Sequence, residues 1–387
     1  MTSEQSVKTP PTGTPRFGML AALLVATGLG VGAIEITRFP IPLAGYFVFA
    51  ALWAGSAVIL LRRPSLRDYA LTLATIFLCL AGAEVLFFVI GRPHLHRVMQ
   101  PKLIRMDHQL GYAPVAGVRV KVTEHHDDQL IYDVVYTIAA DDLRELPGTN
   151  QAATCKVAFF GGSFAFGEGL NDDQTMPYYF VRASDGRYQG FNFAFGGYGP
   201  HQMLRAIETG RVERIAKRLN LVIYEAIPDH VRRAAGYDQW DRYGPRYVLE
   251  PDGAVRYTGP FHRHADKWAH LMRRCWTCRY IRAHLRWRRS PADVALFAAV
   301  VGRARDLIKQ RYGARFVVVF WDNSAGSRQM VRALTQKHIT VYRVSDIIPD
   351  LNTKRLKYVI SPFDQHPNAT ADRLIGGFLA RTVGGCK

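Results

Sequence analysis

Val157-Ala158-Phe159-Phe160-Gly161-Gly162-Ser163-Phe164-Ala165-Phe166-Gly167-Glu168-Gly169 is the stretch on which the reading of this chain turns. An apolar run, two glycines and a serine describe a buried strand that ends in a sharp turn. Glycine lets the backbone turn tightly and approach another group closely. The serine hydroxyl is thereby presented at the carboxyl end of the strand, where a helix begins and backbone N–H groups can hold an oxyanion. Alone, the same residues also fit a phosphate-binding turn or a serine helix cap. A P-loop is excluded because no Gly-Lys-Ser/Thr follows. A Gly-x-Ser-x-Gly elbow fails because Ala165 stands where its last glycine belongs.

Downstream, further apolar runs alternate with helical patterns. The runs are Gly190–Phe193, Leu221–Ala226, Arg315–Trp321 and Thr340–Val344; the helical stretches are Gln202–Lys217, Ala292–Arg311, Ser327–Lys337 and Ala369–Val383. Strand–helix alternation with continuously apolar strands predicts an α/β domain with a parallel sheet covered on both faces. Active sites of such sheets lie beyond the carboxyl ends of the strands. Residues 232–290 interrupt the alternation with a hairpin, Arg246–Leu249 and Ala254–Tyr257, and a basic, aromatic helix over Ala265–Trp287. This insertion reads as a lid over the site or as a segment lying on a membrane surface.

Upstream, the chain changes character. Gly18–Ile34, Leu43–Leu61 and Tyr69–Ile90 are each apolar and close to the roughly 20 residues a bilayer crossing takes. Residues 1–16 form a polar tail, 17–91 three spans, 92–150 a β-rich collar with strands at Val118–Val122 and Leu130–Ile138, and 151–387 the α/β domain. Lys8 and Arg16 precede the first span and Arg62, Arg63 and Arg67 separate the second from the third, whereas only Arg38 lies in the other loop. The positive-inside rule then puts the N-terminus in the cytoplasm and everything after Ile90 on the far side. In a bacterium this is a multi-pass inner-membrane protein with a periplasmic catalytic domain. Glu84 lies deep in the third span and is expected to be protonated or hydrogen-bonded between helices.

The 387 residues carry a formal net charge of +18, which favours anionic neighbours: nucleic acid, acidic lipid headgroups or charged envelope glycans. No zinc-finger spacing, arginine-rich block or aromatic RNA-binding motif is present, and the apolar spans favour the last two. His262, His264, His270, Cys275 and Cys278 offer one C-x₂-C pair where a convincing zinc motif has two, so a disulfide or a pair of thiols is expected there instead of a metal. Cys155 and Cys386 are expected to pair. The basic run Arg282, Arg286, Arg288 and Arg289 reads as a solvated helix end, or as a contact for anionic lipid or glycan.

A second chemical signal lies near the C-terminus, in Ser361-Pro362-Phe363-Asp364-Gln365-His366-Pro367-Asn368. A histidine with an aspartate two residues earlier suits a general base and its orienting acid. Alone this is equally a surface turn. Together with Ser163 at another strand end, the catalytic reading is the better one.

These segments resemble the SGNH (GDSL-like) hydrolases over about residues 103–383. Gly161-Gly162-Ser163 with Phe166-Gly167 and Asp173…Thr175-x-Pro177 is similar to that family's first block, in a Gly-Gly-Ser and not a Gly-Asp-Ser form. Asn192–Gln202 is similar to the second block, with Gly197 matching its oxyanion glycine. Asp364-x-His366-Pro367-Asn368 is similar to the last block, and Leu110-Gly111-Tyr112 with the collar to membrane-bound members. The resemblance implies a flavodoxin-like domain in which Ser163 is the nucleophile, His366 the base and Asp364 its orienter, with Asp322 the fallback. The third block departs: Tyr224–His230 offers no asparagine, so either His230 joins the Ser163 and Gly197 N–H groups in the oxyanion hole or that element of the hole is missing. The implied activity is an esterase or O-acyltransferase on acyl, first of all acetyl, esters of an envelope glycan. It needs no cofactor or metal and has envelope-biosynthesis proteins as partners. The alternatives are a lysophospholipase or thioesterase, and a catalytically inactive glycan-binding or scaffold module. The orientation is tested with a phosphatase fused after Lys387, which is expected to be active; a reporter active there only in the cytoplasm overturns it.

Overall fold

Contacts divide the chain into two units, Met1–Pro93 with Ala265–Trp287, and His94–His264 with Arg288–Lys387. The computed structural model describes residues 15–37, 41–91, 94–262, 274–284, 290–322 and 326–385.

The first unit contains three helices, α1 (Pro15–Ile36), α2 (Pro42–Leu60) and α3 (Pro64–Ile90). A proline at the first turn starts α2 and α3, where a missing N–H is harmless. By length and composition α2 and α3 can each cross a membrane, whereas the apolar stretch described in α1, Leu20–Glu35, is shorter than a crossing takes. Thus two helices meet the criterion where the sequence suggested three.

Glu84 of α3 is 1% exposed, and its carboxylate accepts the N–H groups of Trp276 (2.9 Å) and Thr277 (3.1 Å). These open the helix Trp276–His284. A helix start has unsatisfied N–H donors and a positive dipole end, and a carboxylate answers both. Phe88 meets Trp276 edge-on at 5.1 Å, and Phe87 lies 4.7 Å from Tyr280. The segment expected as a lid is thereby divided. Its hairpin belongs to the second unit, while Ala265–Trp287 belongs with the apolar helices. Cys275 and Cys278 form a disulfide, so neither sulfur is a free thiolate for a metal; His264 and His270 lie outside the described residues.

The second unit begins with the collar: β1 (Leu95–Gln100), β2 (Ile104–Asp107), β3 (Gly111–Pro114), β4 (Val118–His126) and β5 (Gln129–Ile138). β1, β4 and β5 form an antiparallel sheet, and β2 pairs with β3. Beyond it the chain forms β6 (Cys155–Gly161), α4 (Ser163–Phe166), α5 (Met176–Ala183), β7 (Tyr188–Asn192), α6 (Pro200–Glu208), α7 (Arg211–Ile215), β8 (Leu221–Ala226) and α8 (His230–Ala234). The hairpin β9 (Pro245–Leu249) and β10 (Val255–Pro260) follows, and β11 (Arg315–Phe320) and β12 (Thr340–Arg343) complete the strands. The single helix expected over Gln202–Lys217 is broken at Gly210, whose φ of 72° no helix interior accepts.

The core sheet runs β12-β11-β8-β6-β7, with all its pairs parallel. In chain order this is the flavodoxin-like 2-1-3-4-5 arrangement. β6 and β8 are buried along almost their whole length, as strands covered on both faces must be. One face packs Val157, Phe159, Ile223 and Val317 against Phe180 and against Ile375 and Leu379 of the helix Ala369–Val383. Cys155 is buried and disulfide-bonded, while Cys386 lies outside the described residues.

Arg144 locks the collar to the sheet. Its backbone bridges Ile138 at the end of β5 and Asn192 at the end of β7. Its side chain is fully buried and donates to Phe166 O (2.6 Å), Gly167 O (2.7 Å), Leu170 O (2.6 Å) and Asp172 (3.0 Å). Deleting one partner of a buried charged network leaves the others uncompensated. Arg144→Leu is therefore expected to destabilise the second unit by about 3–5 kcal/mol, read as a lowered unfolding midpoint. Arg144→Lys should recover little, since an ammonium cannot reproduce the guanidinium fork.

Candidate active site

β6 lies between β8 and β7, at the point where the order of the strands reverses. In a parallel sheet the crevice opens there, beyond the carboxyl ends. Ser163, the first residue of α4, stands in that crevice. Gly167 ends this short helix at φ 83°, and a Cβ there would lie 2.3 Å from Thr175 Cγ2, so only glycine closes the turn.

The C-terminal loop brings the other two predicted residues to it. His366 Nε2 is 2.9 Å from Ser163 Oγ, and His366 Nδ1 is 2.5 Å from Asp364 Oδ1. The Asp-x-His spacing is short, but the backbone explains how it serves. Asp364 Oδ1 also accepts the His366 N–H at 2.9 Å, and Ser361 Oγ accepts the Asp364 N–H at 2.9 Å. The aspartate thus forms a local turn that folds the imidazole back onto its own carboxylate. Asn368 then caps the helix Ala369–Val383 through the Thr370 and Ala371 N–H groups. The ring of Phe164 lies edge-on to the imidazole at 5.3 Å. The fallback acid Asp322 is engaged elsewhere, accepting from Ser345 N (3.0 Å) and Ser345 Oγ (2.6 Å).

Ser163 and Gly197 both line the apolar side of the crevice. The N–H groups of Ser163 and Gly197 donate to no acceptor among the described residues. Gly197 has φ 80°, and a Cβ there would meet Tyr112 Oη at 2.5 Å and Trp240 Nε1 at 2.7 Å. The Phe195 N–H donates to Gly161 O at 3.4 Å, tying this loop to the end of β6.

His230 does not join them. It is fully buried, its Nδ1 lies 2.6 Å from Tyr224 Oη, and it lines neither cavity that contains Ser163. Gly162 lies beside it: a Cβ on that glycine would be 3.1 Å from His230 Nε2, which has no hydrogen-bond partner among the described residues. Burial holds the imidazole well below the ordinary histidine value, with Arg233 and His201 adding to the effect. It is a neutral ring in the wall behind the crevice.

Residues the sequence did not single out surround the imidazole. Glu168 Oε2 lies 4.0 Å from His366 Nε2, and Glu168 Oε1 accepts from Arg97, which also binds Glu124 at 2.7 Å. Glu168 was in the quoted motif, but nothing local in the sequence joined it to His366. Burial works to lower the His366 pKa, yet the carboxylates of Glu168 and Asp364 outweigh it and hold the imidazolium above the ordinary histidine value. Burial likewise pushes Asp364 up, and the hydrogen bonds and charge of His366 outweigh that and hold it below the usual carboxylate range.

Ser163 and His366 line two cavities. One, of about 620 Å³, is walled mainly by apolar groups, among them Leu103, Ile104, Phe166, Phe195 and Trp240. The other, of about 520 Å³, is more polar and includes Arg97, Glu124, Asp229, Arg355 and Gln365. Among the described residues no group of three or more His, Cys, Asp or Glu is placed to hold a metal ion.

No protein-family model and no curated protein matches this chain. Solved structures similar to it include a member of the lipolytic protein G-D-S-L family from Veillonella parvula, 11% identical, with 60% of this chain and 99% of that one covered at a TM-score of 0.36. The psychrotrophic esterase EstA from Pseudoalteromonas sp. is 11% identical, with 59% and 96% covered at a TM-score of 0.37. An acetyl xylan esterase from Butyrivibrio proteoclasticus is 9% identical, with 74% and 82% covered at a TM-score of 0.36.

A raised imidazole pKa means that the neutral, proton-accepting ring is reached only at higher pH. The kcat/KM for ester cleavage is expected to rise with pH through a midpoint above the ordinary histidine value of about 6.5. Glu168→Gln removes one cause of the raised value, so its profile should shift to lower pH. An unmoved midpoint would show that Glu168 does not act on the base.

Proposed function

We propose that this chain is a membrane-anchored serine ester hydrolase or O-acyltransferase of the SGNH kind. The observation that carries the reading is the unbroken hydrogen-bond chain Ser163–His366–Asp364 at the carboxyl end of β6. Ser163 Oγ adds to the acyl carbonyl carbon while His366 Nε2 takes the hydroxyl proton. The Ser163 and Gly197 N–H groups receive the carbonyl oxygen as it becomes an oxyanion. Collapse breaks the bond to the alcohol, which leaves with the proton held by His366. Water, or a sugar hydroxyl, then attacks the acyl-enzyme by the same path in reverse. Asp364 keeps the ring in the productive tautomer and supports its charged form.

The substrate is proposed to be an acylated envelope glycan, in the first place an acetyl ester, reached from the outer side of the inner membrane. Supporting this are the apolar helices, the loop arginines and the basic surplus of the chain. The proposed topology uses α1 as a third span, although its apolar stretch Leu20–Glu35 is shorter than those of α2 and α3. Envelope-biosynthesis proteins are the proposed partners. One observation favours a second reading, a lysophospholipase or thioesterase: the apolar cavity beside Ser163 has room for far more than an acetyl group.

A series of nitrophenyl esters from acetyl to long-chain separates these readings by where the rate peaks. In either case Ser163→Ala and His366→Ala are each expected to lower kcat by roughly 10⁴- to 10⁶-fold. The double variant should be scarcely worse, because members of one catalytic unit are not additive. Independent, multiplying losses would contradict a shared mechanism.

A further inference from the structure

The oxyanion site derived above has two backbone donors and an open third position. His230, the residue the sequence offered for it, lines neither cavity that contains Ser163, and Asp229 beside it is an exposed acceptor. Three residues beyond His230, on the same helix α8, stands Arg233.

Its surroundings are specific. Arg233 lines both cavities that contain Ser163 and His366, although its side chain is only 9% exposed. An ideal Cβ on Gly162 would lie 2.5 Å from Arg233 Nη1. The guanidinium therefore occupies the space that any side chain preceding the nucleophile would need. Nη1 donates to Tyr198 O at 2.8 Å. Gly162 immediately precedes the Ser163 N–H donor, and Tyr198 immediately follows the Gly197 N–H donor. The guanidinium is bracketed by the neighbours of both.

It also has donors to give. Asp238 forms an ion pair with it, 3.9 Å from Nε and so beyond hydrogen-bond length, and takes its hydrogen bond from Arg232. Nε is buried and has no hydrogen-bond partner among the described residues. A buried guanidinium with an unused N–H is costly in the resting protein and well placed when a negative oxygen forms nearby.

We propose that Arg233 is the third oxyanion donor of this site, in the place where an uncharged amide would otherwise stand, and that Gly162 lacks a side chain to admit it. This rests on the serine-ester reading of Ser163. As the Ser163 Oγ–carbon bond forms, the carbonyl π electrons move onto oxygen, and a guanidinium N–H meets that charge. No proton is transferred to or from Arg233. The pair accounts together for two departures noted in the sequence, Gly-Gly-Ser at the nucleophile and no asparagine after β8.

The test uses the detergent-solubilised full chain and a nitrophenyl ester that the wild type cleaves. Arg233→Ala and Arg233→Met should lower kcat by roughly 10²- to 10³-fold with KM little changed, as loss of an oxyanion donor does. Added guanidinium or methylguanidinium at low concentration should restore part of the loss in Arg233→Ala, and not in Ser163→Ala. Gly162→Ala should be slow too, and the Gly162→Ala/Arg233→Ala double variant no slower than Arg233→Ala, since both remove the same contact. Thermal unfolding checks that each variant is folded, and Arg233→Lys, which keeps charge and packing, covers the case in which the shorter side chains unfold the unit. It should keep more kcat than Arg233→Met. Folded variants within about threefold of wild-type kcat, or a loss confined to KM without rescue, would overturn the proposal while leaving the serine reading intact. A wild type that cleaves no ester and takes up no fluorophosphonate overturns that reading, and this inference with it.

Discussion

β6 is hydrogen-bonded along both edges, to β7 on one side and β8 on the other, and everything at the site is placed by that double pairing. A strand held on both edges and buried on both faces cannot slide in register without exposing Val157, Phe159 and their neighbours. Its last residue, Gly161, is consequently a fixed point. Ser163 follows it by two residues, the loop bearing Gly197 is tied to Gly161 O, and α8 begins four residues after the end of β8. The C-terminal loop reaches the same point because Asn368 holds it at the start of the helix Ala369–Val383, which packs on α5.

Electrostatics at this point is set by the charged groups packed around the imidazole. His366 is held between two carboxylates, which favour its charged form. Glu168 is in turn neutralised by Arg97, whose other partner is Glu124 on the collar. The collar is thus part of the charge balance of the site as well as a wall of its apolar cavity. In the first unit Glu84 shows the same rule in another setting: a buried carboxylate is kept where it answers a specific set of donors, here the opening turn of a helix.

The parallel sheet was legible because each strand is a continuous apolar run bounded by turn residues, a pattern that does not depend on distant contacts. The Asp364–His366 pair was legible for a similar reason, its geometry being local. What could not be read was long-range. Arg144 looks like any arginine until the fold places three carbonyls around it, and Glu84 meets its partners 192 and 193 positions further along the chain. His230 and Arg233 lie three residues apart on one helix, and choosing between them needed to know which of them lines the cavities at Ser163. The break at Gly210 was visible as a glycine, and the helical periodicity on both sides concealed it.

The central claim is that Ser163 is a nucleophile activated by His366. The direct measurement is to label the intact protein with a fluorophosphonate, digest it and locate the adduct by mass spectrometry. The account predicts a single adduct on Ser163, absent from His366→Ala and from protein treated with a serine-ester inhibitor beforehand. An adduct on another residue, or no adduct on folded protein, would contradict it.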